Sequence, residues 1–166
     1  MMHFYPEPLT GGEFKSFEQV DSYEGKGGQH LVDAAFACGV GASHPILSVV
    51  TLESAASFPL ILRRLERHPH SAQTFLALTG ARCLAVVCQS SQDGSPDLET
   101  LRSFIISPEQ IITYRRGVWH HSVTVLQAPS TFAMMMAQTG RGDDTEFFDL
   151  VTPVEIAAPH LDGNSD

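Results

Sequence analysis

A chain of 166 residues, 43% hydrophobic and 17% charged, carries enough apolar material for one buried core and too little charge for a disordered polymer. With 10 Lys and Arg against 19 Asp and Glu, a formal net charge of −9 and no basic run longer than a pair, nucleic acid is excluded as an expected partner. No apolar run reaches the roughly 20 residues of a membrane helix, and Met1 to Pro8 lacks a basic region leading into an apolar core, so a soluble, cytoplasmic protein with no membrane partner is expected.

Leu9 to Phe17 opens the readable part, with Thr10 placed to cap a helix of one or two turns that packs through Phe14 and Phe17 and plugs one end of something larger. Tyr23 to Gly41 is glycine-rich without a sustained period and reads as loop, with a strand expected near His30 to Phe36. From His44 the texture changes. Ile46 to Leu52, Phe58 to Leu65, Gln73 to Leu78 and Cys83 to Cys88 are short apolar or β-branched runs separated by turn residues. After a surface loop at 90–97, Leu101 to Ile106, Ile111 to Tyr114, His120 to Leu126 and Thr131 to Met136 continue the series. Short strands at such spacing predict a mainly β fold, a sandwich or barrel, with only short helices. One domain is expected over 1–156, followed by a flexible tail at 157–166. The cysteines Cys38, Cys83 and Cys88 suit reduced thiols in apolar settings, the last two on opposite faces of one strand.

Chemistry concentrates in two stretches. Glu66 and His68 are two apart and share a strand face, and Gln73 adds a third polar group before an apolar run closed by Gly80. About forty residues on, Gly117-Val118-Trp119-His120-His121 offers two histidines that face opposite ways on a strand. The offsets Glu66-x-His68, Gln73 and Gly80 resemble the first cupin motif, with Glu in place of the first histidine and Gln in place of the carboxylate. Arg115-x-Gly117-x-x-His120 resembles the second, with Arg115 at the usual proline. In cupins the two motifs converge inside a small β-barrel, which implies a metal set of Glu66, His68, Gln73 and His120. Imidazole nitrogens with carboxylate and amide oxygens suit a divalent cation such as nickel, zinc or manganese. Without a cation the same residues are polar side chains on the wet face of a strand. Trp119 reads as packing, the Asp143 to Glu146 run as a solvated loop, and His70 has no fixed direction. Tyr114 and Arg116, two apart, share a strand face in this reading and could present a hydroxyl and a guanidinium to an anion.

Leu65-Glu66-Arg67-His68-Pro69, Gln73-x-Phe75, Pro96-Asp97-Leu98, Leu101-Arg102-x-Phe104 and Tyr114-x-Arg116-Gly117-Val118-Trp119-His120-His121 together resemble the ureidoglycolate lyase family of purine (allantoin) catabolism. Pro8-Leu9-Thr10 and Phe14-x-x-Phe17 resemble its opening, so the likeness covers most of the chain. It implies a cupin-like, jelly-roll β-barrel, a homodimer, a small hydroxy-acid substrate with a ureido group, and nickel as the cofactor. It also implies His68, His120 and Glu66 as catalytic groups, a neutral histidine carrying the proton, and Arg116, Tyr114 and Gln73 as substrate contacts. The chain departs from the family pattern at three places. Gly28 to Ala34 lacks an arginine, Val49 to Leu52 lacks another, and Met134-Met135-Met136-Ala137 stands where an Asp-Arg pair is usual. Those losses suggest a less charged pocket, and the alternative they raise is a diverged cupin-like module that binds a small ligand without lyase chemistry.

Overall fold

The computed structural model describes residues 2–23 and 27–160, position 18 by its backbone alone. In chain order the elements are β1 (His3–Phe4), β2 (Glu7–Pro8), α1 (Gly11–Phe14), β3 (Glu18–Ser22), β4 (His44–Leu52), β5 (Leu60–Arg67), β6 (Gln73–Ala77), β7 (Cys83–Ser90), β8 (Pro96–Ile106), β9 (Gln110–Tyr114), β10 (Trp119–His120), β11 (Thr124–Val125), β12 (Ser130–Gln138) and β13 (Glu146–Ile156). They form two sheets. The larger runs β1-β13-β5-β10-β7-β8-β2, with β11 also on β7, and the smaller runs β3-β9-β6-β12-β4. Non-sequential neighbours joined almost entirely by antiparallel ladders are the jelly-roll form of a β-barrel, so the cupin-like expectation holds.

The side chains explain why the sheets face each other. On β7 the burial is continuous through Cys83–Cys88, and alternate residues enter two different cores. Cys83, Ala85 and Val87 join Phe75, Ile112, Tyr114 and Phe132 of the smaller sheet, while Leu84, Val86 and Cys88 pack with Leu62, Leu65, Trp119 and Ile156 on the other side of the larger sheet. A strand covered on both faces loses the polar alternation of a half-wet one. The opposite-face expectation for Cys83 and Cys88 is met, and burial pushes both thiols up to about 12. Cys38, by contrast, is exposed, because its segment lies over the barrel and not within it.

The short helix is where the sequence places it. Thr10 is its N-cap residue, but the Oγ1 hydroxyl bonds Glu13 Oε2 at 2.8 Å and leaves the backbone uncapped. Phe14, fully buried, meets Phe17, Phe104 and Tyr114 at centroid distances of 5.7, 5.8 and 6.0 Å, so α1 does plug the interior between the sheets.

Two expectations are corrected. No strand forms at 30–36. There Ala35 N–H bonds Val32 O and Ala37 N–H bonds Ala34 O, consecutive turns favoured by a run with too few β-branched residues for a ladder. The segment instead straps the β5–β6 connection, with Ala72 N–H donating to Ala37 O at 2.7 Å and Gly39 N–H to His70 O at 2.8 Å. The strand expected over His120 to Leu126 is broken into β10 and β11, both on β7, since Thr124 Oγ1 bonds Ser122 O and the His121 ring and draws the backbone out of the ladder. The long β13 was not foreseen. Pro153 argues against an interior strand, yet it falls where the register with β5 shifts between Asp149 and Val154, the kind of irregularity that tolerates a proline. The expectation of little and short helix holds, with helix confined to α1 among the described residues. The expected tail at 157–166 falls partly outside them, and Ala157 N–H still bonds Phe4 O at 2.8 Å.

Candidate metal centre

The sheet register brings the two sequence motifs together. His120 on β10 is paired with Glu66 on β5, and across the barrel Gln73 on β6 is paired with Tyr114 on β9 and Met136 on β12. His68, one residue past β5, turns inward with Glu66. The link between motifs is direct: Gly117 N–H donates to His68 O at 2.9 Å, and Gly117 holds φ +81 in the turn between β9 and β10, a conformation that a side chain would strain.

Glu66, His68 and His120 each offer one ligand atom, and these lie within 4.8 Å of one another; a triad so placed could hold a metal ion. The imidazole rings are 5.3 Å apart. His68 Nδ1 lies 2.9 Å from Asp144 O, and His120 Nδ1 lies 3.0 Å from Val118 O. A carbonyl accepts only from N–H, so in a neutral His68 ring Nδ1 carries the proton and Nε2 presents a lone pair; His120 faces a carbonyl oxygen at both nitrogens, and its Nδ1–H tautomer is the one that leaves Nε2 free for a cation. This is how metal-binding histidines are commonly oriented from behind. His68 Nε2 is buried with no hydrogen-bond partner. His120 Nε2 faces Glu66 Oε1 at 3.6 Å and Gln73 Oε1 at 3.1 Å. With His120 in that tautomer, nitrogen and oxygen lone pairs converge on one point, and a buried cation is what would relieve such a set.

The rest of the site keeps His120 neutral. It is 1% exposed, and burial, followed by the neighbouring His68, pulls its pKa from 6.5 down to about 3; His121 is lowered too, chiefly by burial. In chelator-treated protein the unfolded chain therefore binds a proton at His120 as pH falls below about 6.5 that the folded chain refuses until about 3. Stability is full above that window and lost downward through it, by up to ~1.4 kcal/mol per pH unit. Urea-unfolding midpoints measured from pH 7 to 5 should fall accordingly, and a flat profile would contradict the assignment.

The remaining predicted site residues separate. Tyr114 and Arg116 do not share a strand face, because β9 ends at Tyr114 and the turn to β10 intervenes. Tyr114 is 3% exposed and stacks on the His120 ring at 4.4 Å and 22°. Burial, then Cys83 and Glu66 nearby, raise its hydroxyl well above the ordinary range, so it stays protonated. Arg116 is exposed and lines a cavity of about 250 Å³ with Ala37, Cys38, Ala72 and Arg115. His70 faces Asp143 at 3.5 Å, and His121 bonds Thr124. Trp119 is packing, as expected, with Arg67 over its ring at 4.5 Å and its Nε1–H on Gly94 O. One contact escaped the sequence reading: the backbone carbonyl of Asp144, in the acidic run read as a solvated loop, orients His68. Nothing in a side-chain pattern signals a main-chain acceptor.

A jelly-roll barrel with histidine, carboxylate and amide donors converging between its sheets defines a cupin-like protein. The model of the ureidoglycolate lyase family matches residues 1–157, and the chain belongs to that family. A protein of Agrobacterium fabrum provisionally named a ureidoglycolate lyase is 43% identical over 150 residues, 90% of this chain and 91% of its own. A ureidoglycolate lyase of Escherichia coli strain SMS-3-5 is 43% identical over 77 residues, 46% of this chain and 47% of its own, so that match spans about half the length of the relative. Among solved structures, RmlC from Streptococcus suis aligns with TM-score 0.43 at 14% identity over 57% of this chain and 44% of its own. Oxalate decarboxylase from Bacillus subtilis aligns with TM-score 0.41 at 18% identity over 64% and 24%. Likenesses that partial carry no chemistry to this chain.

Proposed function

We propose that this chain is a carbon–nitrogen lyase that splits ureidoglycolate into glyoxylate and urea, with Glu66, His68, Gln73 and His120 holding a divalent cation. The observation that carries the reading is the convergence of acceptors: two imidazole Nε2 atoms, Glu66 Oε1 and Gln73 Oε1 meet in a buried place, with His68 Nε2 unpartnered. Nickel follows from the family resemblance, and zinc or manganese suit the same donors.

Ureidoglycolate carries a hydroxyl, a carboxylate and a ureido nitrogen on one carbon. Its cleavage moves the hydroxyl proton to that nitrogen, turns the C–O bond into a carbonyl and breaks the C–N bond, with no water consumed. A cation held by Glu66, His68, Gln73 and His120 would supply positive charge to the substrate's oxygens and so would lower the hydroxyl's pKa. The sequence reading gave the proton to a neutral histidine. The geometry favours Glu66 instead, because each histidine that keeps Nδ1–H on its carbonyl acceptor would give its Nε2 lone pair to the cation and hold none for the proton. A carboxylate has two oxygens. Glu66 keeps Oε1 toward His120 while Oε2 takes the hydroxyl proton and delivers it to the departing nitrogen. Tyr114 holds His120 in place by stacking, and Arg116, which lines the cavity with Ala37, Cys38 and Ala72, is assigned as the anchor for the substrate's carboxylate.

The free thiols Cys38, Cys83 and Cys88 fit a reducing, cytoplasmic setting, and among the described residues no helix is long and apolar enough to cross a membrane. Leu47 and Val49, each 67% exposed on the edge strand β4, form the face that a homodimer would cover. Met134, packed on the core between the sheets, and the buried Met136 are uncharged, and they support a second reading in which the barrel binds a small, less charged ligand without cleaving it.

The deciding experiment is incubation of metal-loaded protein with ureidoglycolate, following glyoxylate and urea together. Equimolar release that stops on chelation and returns with added Ni²⁺ is expected. Absence of release from loaded protein leaves the ligand-binding reading, and full release after chelation removes the cation from the mechanism.

A further inference from the structure

The side-chain amide of Gln73 is turned the costly way. Its Oε1 lies 3.1 Å from His120 Nε2, and in the tautomer that frees Nε2 for a cation, with Nδ1–H on Val118 O, both facing atoms are acceptors. Rotating the amide by half a turn would place its NH₂ on the His120 lone pair and make an ordinary hydrogen bond. The orientation with oxygen inward therefore needs support from the other end of the amide. That end lies against a thioether: Gln73 Nε2 donates to Met134 Sδ at 3.3 Å. A thioether sulfur accepts and has no proton to give, so it takes the NH₂ and repels the carbonyl.

Met134 is positioned for this by the sheet. It sits on β12 opposite Phe75 of β6 and Ser48 of β4, packs against the core between the sheets, and points inward beside Gln73. Strand alternation then sends Met135, its neighbour, to the outer face.

We propose that Met134 is a positioning residue of the metal centre: its sulfur holds the Gln73 amide with oxygen inward, so that a cation meets four electron-pair donors in place of three donors and an N–H dipole. The inference rests on the metal-binding reading above. It also assigns a use to a methionine that would otherwise be simple filling.

The test is a double-substitution cycle read by Ni²⁺ affinity alone, measured by competition with a chromogenic chelator, so that no substrate is involved. Met134→Leu keeps volume and apolar character while removing the acceptor. It should weaken Ni²⁺ binding about fivefold, the scale of one modest hydrogen bond. In a Gln73→Ala background, where no amide remains to orient, Met134→Leu should have no further effect. Two results would overturn the assignment: wild-type affinity in Met134→Leu, or an equal loss in both backgrounds, which is the mark of a packing role. If the wild-type protein itself fails to bind Ni²⁺, Mn²⁺ and Zn²⁺, the metal centre falls and this inference with it.

Discussion

Glu66→Gln should lower glyoxylate release roughly 10²- to 10⁴-fold, the range for loss of a positioned proton carrier, while the protein still binds Ni²⁺. Glutamine keeps an oxygen where Oε1 of Glu66 now faces His120 at 3.6 Å, so the cation retains a donor, but an amide cannot take the hydroxyl proton and hand it on. His120→Ala removes an imidazole donor outright and should abolish metal retention and release together. Metal content per chain and initial rate, measured side by side on the two variants, separate the roles. A Glu66→Gln protein that loses its metal as His120→Ala does would make Glu66 a ligand first and return the proton to a histidine. Full activity in Glu66→Gln would remove the residue from the chemistry altogether.

Why these residues could be found in the sequence at all is a matter of periodicity. Glu66 and His68 are two apart at the end of a strand, so alternation sends both to one side, while Gln73 opens a strand of the facing sheet and meets them across the barrel. The pairing of Glu66 with His120 could not be read from spacing; it came from the resemblance of both stretches to the cupin motifs. The nine strands from β4 to β12 announced themselves through eight apolar or β-branched runs, but β13 did not. Half of its residues face solvent and a proline interrupts it, and its place is fixed by the ladder with β5 and not by its own composition. The segment 27–43 was opaque for the opposite reason, since its hydrogen bonds run to main-chain groups of 70–72. Arg116 was misplaced with Tyr114 because a strand was carried two residues too far, and a left-handed Gly117 is the physical reason it stops. Asp144, which orients His68 through its carbonyl, shows how little of a ligand's support is written in side chains.

Phe14→Ala should destabilise the fold by about 3–5 kcal/mol, the cost of deleting a fully buried aromatic ring, and it should also disturb a site it does not touch. Phe14 is 0% exposed and belongs to a helix of only four residues, too short to hold itself together by its own hydrogen bonds. What keeps α1 in the barrel is therefore the burial of its ring against Phe17, Phe104 and Tyr114. The contact with Tyr114 continues to the metal centre, since the other neighbours of that ring are Phe75 at 6.1 Å and His120 at 4.4 Å. A cavity at Phe14 frees Tyr114 to tilt, and the stacked imidazole with it, although the Nδ1–H bond to Val118 O remains. The expected pattern is a large drop in the urea-unfolding midpoint, together with weaker Ni²⁺ binding at temperatures where the variant is still folded. Phe104→Ala is the control: Phe104 is equally buried and touches Phe14 and Phe17 but has no aromatic contact with Tyr114. It should cost similar stability with a smaller effect on the metal. Equal loss of metal in both variants would mean that general loosening of the core, and not the Phe14–Tyr114–His120 stack, governs the site.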